Sequence, residues 1–323
     1  MNESAMLKTV PKKILVVYYS QSGQLTDLVR NVCTPLEADP DITVTYLAIE
    51  PEHAYPFPWP FLQFFNTFPE TVYNDTPRLN ALTLPTNSGF DLVILAYQVW
   101  FLSPSLPISA FLKTPEAKTL LHNTPVITLI GCRNMWLMAQ EQMKQQLQTL
   151  GARLIDNVVL TDTAHSAFTF ISTPLWMLTG KRGPFLNGLI PAAGIPQTEI
   201  QASRRFGTAI ASQLAHRLAD DNSPMLKGLG AVTINENLIS SEKIARRSFM
   251  IWGRLLRTIG DQASRTRQIV LLLYIAFLVS MILTVVPLSA LLKKLLSPFT
   301  REHIAAQKRY YAAPSGSDEK ILP

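Results

Sequence analysis

A short polar turn near the start of the chain has residue types that bind an anion. An apolar, strand-like run precedes it and a helical pattern follows it, so the turn opens a helix. Backbone N–H groups at a helix start hold phosphate well, and serine and threonine hydroxyls add to them. The turn is neither a Walker loop nor a dinucleotide fingerprint. We predict a phosphate site here, with a plain helix cap as the alternative; its residues are Ser20, Gln21, Ser22, Gly23, Gln24, Leu25 and Thr26.

Two further loops carry aromatic side chains that suit a flat ring. Each follows an apolar, strand-like run, and each contains one tryptophan. Ligands of parallel sheets bind at the carboxyl ends of the strands, so we expect both loops to lie near the polar turn. The three segments together predict a ligand with a phosphate and a flat ring system. The predicted ring contacts are Gln98, Val99, Trp100, Phe101 and Leu102 in one loop, and Gly131, Cys132, Arg133, Asn134 and Trp136 in the other.

Alternating strand-like and helix-like segments predict the elements that position these loops. Short apolar runs separated by helices are typical of a five-stranded, doubly wound parallel sheet in an α/β fold. The predicted strands are Ile14–Ser20, Ile42–Ile49, Asp91–Tyr97, Pro125–Ile130 and Leu154–Leu160. The predicted helices are Leu25–Glu37, Met138–Leu150 and Glu199–Leu218.

Two apolar stretches interrupt this alternation. Pro51–Pro77 interleaves eight aromatic residues with prolines, which exclude a long regular helix. We predict that it forms a lid, a pocket wall or a subunit contact of a homodimer, with a self-packed loop as the alternative. Phe168–Pro196 is also apolar and contains several prolines, and we predict that it is rich in loops.

The C-terminal third predicts contact with a membrane. Ile269–Leu292 has 24 residues without a charge, and a bilayer core requires about 20. The preceding stretch, Gln201–Gln268, has eleven Lys and Arg against five Asp and Glu, which favours anionic lipid headgroups. Within it, Glu242–Ile259 has the pattern of a basic amphipathic helix with Trp252 on its apolar side. Packing of that helix on its own domain is the alternative.

The sequence leaves the membrane topology open. Basic residues flank the apolar segment on both sides, so the positive-inside rule does not orient the tail. A single span is the first expectation, and a break at Pro287 that forms a re-entrant helix pair is the alternative. The predicted organisation is a ligand-binding domain (12–218), a basic linker and amphipathic helix (219–268), a transmembrane or re-entrant segment (269–292) and a polar tail (293–323).

Composition and cysteine content exclude other classes. The first thirteen residues lack the apolar region of a secretory signal. Cys33 and Cys132 are the two cysteines, and they have neither metal-site spacing nor a disulfide framework. The net charge of +6 occurs without a recognised nucleic-acid motif, so we predict no nucleic-acid partner and no metal. We expect a protein of the inner (cytoplasmic) membrane whose catalytic domain faces the cytoplasm.

The chain resembles the flavodoxin-like family from about Lys12 to Leu218. The resemblance rests on a strand followed by Ser-x-Ser-Gly and on DLVILAYQVWFLSPSLPISAFL, which is similar to the family's second flavin loop. It implies non-covalent FMN, with the phosphate in the Ser20–Thr26 turn and the ring between the Gln98–Ser103 and Gly131–Trp136 loops. In one departure, Leu25 stands where many flavodoxins have a hydroxyl residue.

Within that family, the stretches YYSQSGQLT, GCRNMW and TPLWMLTGKRGP are similar to the dialkylresorcinol condensing enzymes. That resemblance implies aromatisation of a cyclohexanedione, a lipophilic substrate and a ketosynthase partner. Such a reaction needs a general base near the ring, for which we predict His165, oriented by Asp162. Arg133 is predicted to stabilise negative charge. The alternatives are an NAD(P)H:quinone reductase-like flavoprotein, a membrane-bound flavodoxin electron carrier, and a scaffold that has kept the fold.

Overall fold

A parallel β-sheet forms the centre of the protein. The computed structural model describes residues 11–84 and 89–316, without the side chains of residues 166, 167, 285–287 and 289–300. Five strands pair in parallel in the order β2-β1-β3-β5-β6, and the short β4 pairs antiparallel with the end of β3. This strand order is that of the flavodoxin-like fold, so the predicted fold class is confirmed. The strands are β1 (Lys12–Tyr18), β2 (Ile42–Ala48), β3 (Leu92–Trp100), β4 (Ser103–Pro104), β5 (Pro125–Cys132) and β6 (Arg153–Thr161).

The central strands form because their side chains are buried on both faces of the sheet. Ile14, Leu15, Val16 and Val17 of β1 are completely buried, and β3 and β5 contain similar buried runs. Continuous apolar runs are expected in parallel strands that helices cover on both sides. The two-residue β4 was not predicted from the sequence because it depends on a tight turn that reverses the chain after β3.

Eleven α-helices of the described residues surround or extend the sheet. In chain order they are α1 (Gln24–Glu37), α2 (Phe61–Asn66), α3 (Phe68–Tyr73), α4 (Leu106–Phe111), α5 (Pro115–Leu121), α6 (Leu137–Thr149), α7 (Ser166–Thr179), α8 (Gln197–Ala202), α9 (Arg204–Leu214), α10 (Glu236–Ile259) and α11 (Arg265–Ala312). Helices α1 and α6 confirm two predicted helices. The predicted helix Glu199–Leu218 is divided into α8 and α9 at Ser203.

The two apolar stretches contain more helix than expected. The aromatic insertion forms α2 and α3, two helices of 6 residues each, in line with the absence of a long helix there. The loop-rich prediction for Phe168–Pro196 was wrong in its first half, where the 14-residue α7 continues through Pro174. An apolar sequence without clear periodicity hides its helical character.

The chain after residue 218 packs onto the sheet. Met225, Leu226 and Val232 are buried in the main core, and the Val159 N–H donates to the Ala231 carbonyl oxygen at 2.8 Å. Residues 219–235, predicted as part of a linker, therefore complete the core beside β6. Helix α10 begins before its predicted start and packs on α3, α6 and α11. Helix α11 extends through the predicted apolar segment into the predicted tail, and its Arg265–Thr284 part is long and apolar enough to cross a membrane, with mean hydropathy 2.0.

Candidate functional site

A cleft lies at the carboxyl ends of β1, β3 and β5. It encloses about 190 Å³, and about 870 Å³ when its open mouth is included. The chain crosses from β1 to β2 on one side and continues from β3 to β5 on the other, and ligands of open α/β sheets bind at such a switch point. The lining residues are Gln21, Ser22, Gln24, Leu25, Phe64, Gln98, Val99, Trp100, Phe101, Gly131, Cys132, Arg133, Thr173, Trp176, Met177, Gly194 and Ile195.

All three predicted loops contribute to this cleft, although not through every predicted residue. The predicted residues outside its lining are Ser20, Gly23, Thr26, Leu102, Asn134 and Trp136. Trp136, the residue before α6, is buried in the main core instead. Leu102 is also buried next to the cleft. The second aromatic loop therefore presents Arg133, and not its tryptophan, to a ligand.

The polar turn combines a helix cap with open backbone donors. The Ser20 Oγ accepts the Thr26 N–H at 3.2 Å, which caps the start of α1. Gly23 adopts a φ of 84°, a left-handed conformation that favours glycine, and a Cβ added there would meet no atom within 4 Å. The N–H groups of Gln24 and Leu25 lie in the first helical turn and have no intrahelical partner. The cap therefore uses atoms other than those that the phosphate prediction requires.

Two glutamines fix the turn to distant segments. The Gln24 amide accepts the Ile195 N–H at 3.0 Å and donates to the Ile195 carbonyl oxygen at 3.1 Å. The Gln98 Oε1 accepts the Gln21 N–H at 3.2 Å, and the Gln21 Nε2 donates to the Pro56 carbonyl oxygen at 2.9 Å. These bonds hold the turn in place before any ligand binds.

Two side chains that line the cleft each have a buried polar atom without a hydrogen-bond partner in the part of the chain that the structure describes. These atoms are the Gln21 Oε1 and the Thr173 Oγ1. A buried polar group without a partner costs about 1–3 kcal/mol, so a ligand that supplies the missing hydrogen bonds would gain this energy. The cleft therefore suits a ring with polar edges better than a purely apolar ligand.

Aromatic side chains form the walls of the cleft. Trp100 meets Tyr55 and Trp59 of the aromatic insertion, with ring centroids 5.0 and 5.8 Å apart. Phe64 of α2 and Trp176 of α7 line other parts of the cleft. The insertion thus lines the cleft through Phe64 and contacts Trp100 through Tyr55 and Trp59, which agrees with the pocket-wall prediction.

The turn after β3 holds two non-glycine residues in left-handed backbone. Phe101 and Leu102 have φ values of 46° and 60°, between the paired residues Trp100 and Ser103. Two-residue turns of this kind usually contain Asn-Gly. Left-handed backbone at other residue types costs on the order of 1–3 kcal/mol per residue. Phe101 is held by ring contacts such as that with Phe64, at 5.2 Å. Strained backbone therefore borders the cleft, as is common at binding sites.

Arg133 places a half-buried positive charge at the cleft. Its guanidinium carbon lies 4.1 Å from the centroid of the Phe170 ring, and its Nε donates to the Asn134 Oδ1 at 3.2 Å. Burial lowers the pKa of Arg133 to about 10, and the nearby Asp162 carboxylate opposes that shift. The side chain remains charged at neutral pH. Asn134 therefore orients the arginine, and the arginine can stabilise negative charge that develops in the cleft.

Asp162 and His165 have surroundings different from those predicted. Asp162 is buried, and its carboxylate accepts the N–H groups of Ala164 and Gly194, both at 2.9 Å. His165 is exposed beside Phe168 at the start of α7 and does not line the cleft, so its role as a general base stays a prediction. Within residues 11–84 and 89–316, no group of His, Cys, Asp and Glu side chains is arranged to hold a metal ion.

Glu242 of α10 is a buried carboxyl group behind the second aromatic loop. Its Oε1 accepts the Met138 N–H at 2.6 Å, which caps α6, and its Oε2 is buried without a hydrogen-bond partner among the described residues. Burial raises the pKa of Glu242 to about 8, although hydrogen bonds from Met138 and Leu137 oppose the shift. Sequence reasoning missed this residue because it lies 104 positions from the helix that it caps.

We expect Glu242→Gln to stabilise the protein at pH 8 and to have little effect at pH 5. The pKa of Glu242 is raised in the folded state, so the folded protein holds a proton that the unfolded chain releases above a pKa of about 4.3. The stability that comes from this bound proton is therefore complete below about pH 4.3, and it is lost as the pH rises to about 8. Glutamine keeps the acceptor for the Met138 N–H and stays neutral. The expected gain at pH 8 is on the order of 2–4 kcal/mol in the free energy of unfolding, measured by urea denaturation.

Glu236→Gln is the matched control on the same helix. The Glu236 side chain is half exposed and pairs with Lys308 at 3.4 Å, so its replacement should change stability by less than about 1 kcal/mol at either pH. Equal effects of the two substitutions at pH 8 would contradict the assignment of the buried proton to Glu242.

Comparisons with known proteins gave matches among solved structures. No protein-family profile and no curated protein sequence matches the chain. A flavoprotein in complex with FMN from Lactobacillus acidophilus NCFM is similar over 46% of this chain and 93% of that chain, with 16% identity and a TM-score of 0.37. A WrbA-like flavodoxin from Agrobacterium tumefaciens is similar over 64% of this chain and 99% of that chain, with 10% identity and a TM-score of 0.36. The Trp repressor binding protein from Bacillus subtilis is similar over 52% of this chain and 98% of that chain, with 12% identity and a TM-score of 0.29. These similarities concern the fold alone.

Proposed function

We propose that the protein is an FMN-dependent oxidoreductase. The observation that carries the proposal is the cleft at the β1/β3 switch point, which is where FMN binds in sheets of this strand order. The cleft brings together three features: the first turn of α1 with its unpaired backbone N–H groups, side chains with unpartnered polar atoms, and aromatic walls. These three features match the phosphate, the polar ring edge and the ring face of FMN.

Each part of the cleft has a role in this proposal. The N–H groups of Gln24 and Leu25 and the Ser22 hydroxyl would hold the phosphate, so Leu25 contributes its backbone where many flavodoxins contribute a hydroxyl. The Gln21 Oε1 and the Thr173 Oγ1 would bond to the polar edge of the ring. When bound, FMN supplies the hydride chemistry. Arg133 stabilises negative charge on the ring or on the substrate.

A lipophilic ring compound, such as a quinone or a cyclohexanedione, is the proposed substrate class. Phe64 lines the cleft, while Phe61 and Leu62 of the same short helix are 46% and 39% exposed. The Asn66 amide oxygen, also on α2, accepts a hydrogen bond from Arg267 at the start of the apolar segment. An apolar helix therefore connects the cleft with the part of the protein proposed to contact lipid. Aromatisation of a cyclohexanedione supplied by a ketosynthase partner is the finer form of this proposal, and it rests on the sequence resemblance.

Turnover measurements distinguish an enzyme from an electron carrier. With a reduced nicotinamide as electron donor, the FMN-loaded protein is expected to reduce a long-chain quinone over many turnovers. With a quinone as electron acceptor, it is expected to oxidise an alkylated cyclohexanedione. A long-chain substrate in vesicles should have a lower KM than the same ring without its alkyl chain. Stoichiometric one-electron exchange without turnover of either substrate would contradict the enzyme proposal and identify a carrier.

A further inference from the structure

Helix α11 is anchored to the sheet domain near its first residues. Arg267 is 1% exposed, and its guanidinium donates to the Glu70 carboxylate at 2.8 Å, to the Asn66 Oδ1 at 2.9 Å and to the Gly260 carbonyl oxygen at 3.2 Å. Two turns later, Tyr274 is buried and stacks on Phe68, with centroids 4.8 Å apart. The first turns of the apolar segment are therefore packed against protein on one side.

The same helix is anchored to the same domain near its last residues. Tyr311 belongs to the main core, and the Tyr310 hydroxyl donates to the Glu141 carboxylate at 2.6 Å. Just after the helix, the Ser315 Oγ donates to the Asp156 Oδ1 at 2.8 Å and accepts the Asn157 N–H at 2.7 Å. The end of α11 is thus tied to α6 and β6.

These two anchors require α11 to bend. Arg267 contacts Gly260 at the end of α10, and Tyr311 lies 5.6 Å from the Lys243 Nζ within α10. At 1.5 Å per residue, Lys243 and Gly260 are about 26 Å apart along α10, whereas a straight helix from Arg267 to Tyr311 would measure about 66 Å. Side-chain reach does not close a gap of about 40 Å. Helix α11 therefore leaves the domain and returns to it.

The excursion is too short to cross a bilayer. Between the buried residues Tyr274 and Tyr311 the helix measures about 56 Å, so a path out and back reaches at most about 28 Å from the domain. A bilayer is about 40–45 Å thick with its headgroups, and its hydrocarbon core is about 30 Å. A helix of this reach, with both ends held on one domain, has both ends on the same side of a bilayer.

The outer surface of the C-terminal helices matches a single anionic leaflet. On α10, Ile244, Ile251 and Leu255 are 58%, 70% and 44% exposed on one side, and Arg247 and Arg254 are exposed beside them. Exposed apolar residues with flanking arginines are typical of a helix that lies in the headgroup layer. The opposite side of α10, with Glu242 and Leu256, packs on the domain. The exposed apolar residues of α11 include Ile269, Leu272, Leu273, Phe277, Val279 and Leu283.

The geometry points to monotopic attachment: α10 lies on one leaflet, α11 dips into that leaflet, and both ends of α11 stay on the side of the sheet domain. This inference rests on the membrane contact that the sequence predicts and is independent of FMN. It also selects between the two topologies that the sequence allowed, in favour of the re-entrant one. Pro287, the predicted break, lies among the residues whose side chains are outside the described part of the structure.

Cysteine labelling in inverted inner-membrane vesicles, whose cytoplasmic face points outward, tests this topology. Ala313→Cys reports on the exposed residue after α11, and Ala215→Cys is the matched control at an exposed position after α9. A membrane-impermeant maleimide is added without detergent, and labelling at each site is quantified by peptide mass spectrometry. We expect both sites to react to the same extent, with a ratio near one. Arg309→Cys is a second tail position if Ala313→Cys does not accumulate.

Two outcomes would overturn the inference: one would contradict the topology alone, and the other would contradict membrane contact itself. Tail labelling that requires detergent, while Ala215→Cys reacts without it, would show a single span. Protein that is absent from the vesicle pellet would overturn membrane contact altogether. In either case the flavin absorbance of the same preparation reports separately on the FMN proposal.

Discussion

Replacing Gly23 with valine is expected to weaken FMN binding at least about 100-fold, or about 2.7 kcal/mol, in a protein that still folds. Gly23 is the residue before the first turn of α1, has a φ of 84°, and an added Cβ there would meet no atom within 4 Å. A branched side chain strains this backbone by about 1–3 kcal/mol and occupies the space in which the phosphate would lie. Fluorescence titration of the apoprotein with FMN measures the affinity, and thermal unfolding measures the cost to the fold.

Gly188→Val is the matched control for this substitution. Gly188 has a φ of 93°, also faces open space, and belongs to the short helical turn Leu186–Gly188 and not to the Ser20–Thr26 turn. The same backbone strain should therefore lower stability without changing FMN affinity. Unchanged affinity in Gly23→Val, or an equal loss in both variants, would contradict the placement of the phosphate at the turn.

Replacing Arg133 with methionine is expected to lower kcat by about 100- to 1,000-fold, the usual effect of removing a group that stabilises developing charge. Methionine retains apolar contact with Phe170 but removes the charge at the cleft. The midpoint potential of bound FMN should also fall, because a nearby positive charge favours the state with more electrons. Stopped-flow kinetics and a spectroelectrochemical titration measure the two effects.

Arg205→Met controls for the loss of a stacked arginine. The Arg205 guanidinium carbon lies 4.2 Å from the Phe206 centroid, nearly the same geometry, and the residue is outside the cleft. Its replacement should change stability but neither kcat nor the potential. Similar kinetic effects of the two substitutions would show that Arg133 acts through packing and not through charge.

The sheet and the position of the cleft could be predicted because both follow from local sequence. The apolar runs of β1, β3 and β5 identify buried parallel strands, and the carboxyl ends of such strands meet at one edge. The choice between the two tryptophans could not be predicted. Trp100 is the last residue of β3 and stays at the cleft. Trp136 lies between β5 and α6, where the chain at Met135 has a φ of 56°, and it is buried in the core.

The contacts that hold the cleft together could not be predicted from the sequence, because they join positions that are far apart along the chain. The Gln24 amide meets Ile195, which is 171 positions away, and nothing in either segment indicates the other. Arg267, one of the basic residues that precede the apolar segment, is buried against Glu70, 197 positions away. Such pairings depend on how the elements pack, which local periodicity does not encode.

The absorbance spectrum of the purified full-length protein is the most direct test of the central proposal that the cleft holds FMN. The proposal predicts a yellow protein with the bands of oxidised flavin and about one FMN per chain, released by heat and identified by chromatography. A colourless protein that takes up no FMN on titration would contradict it.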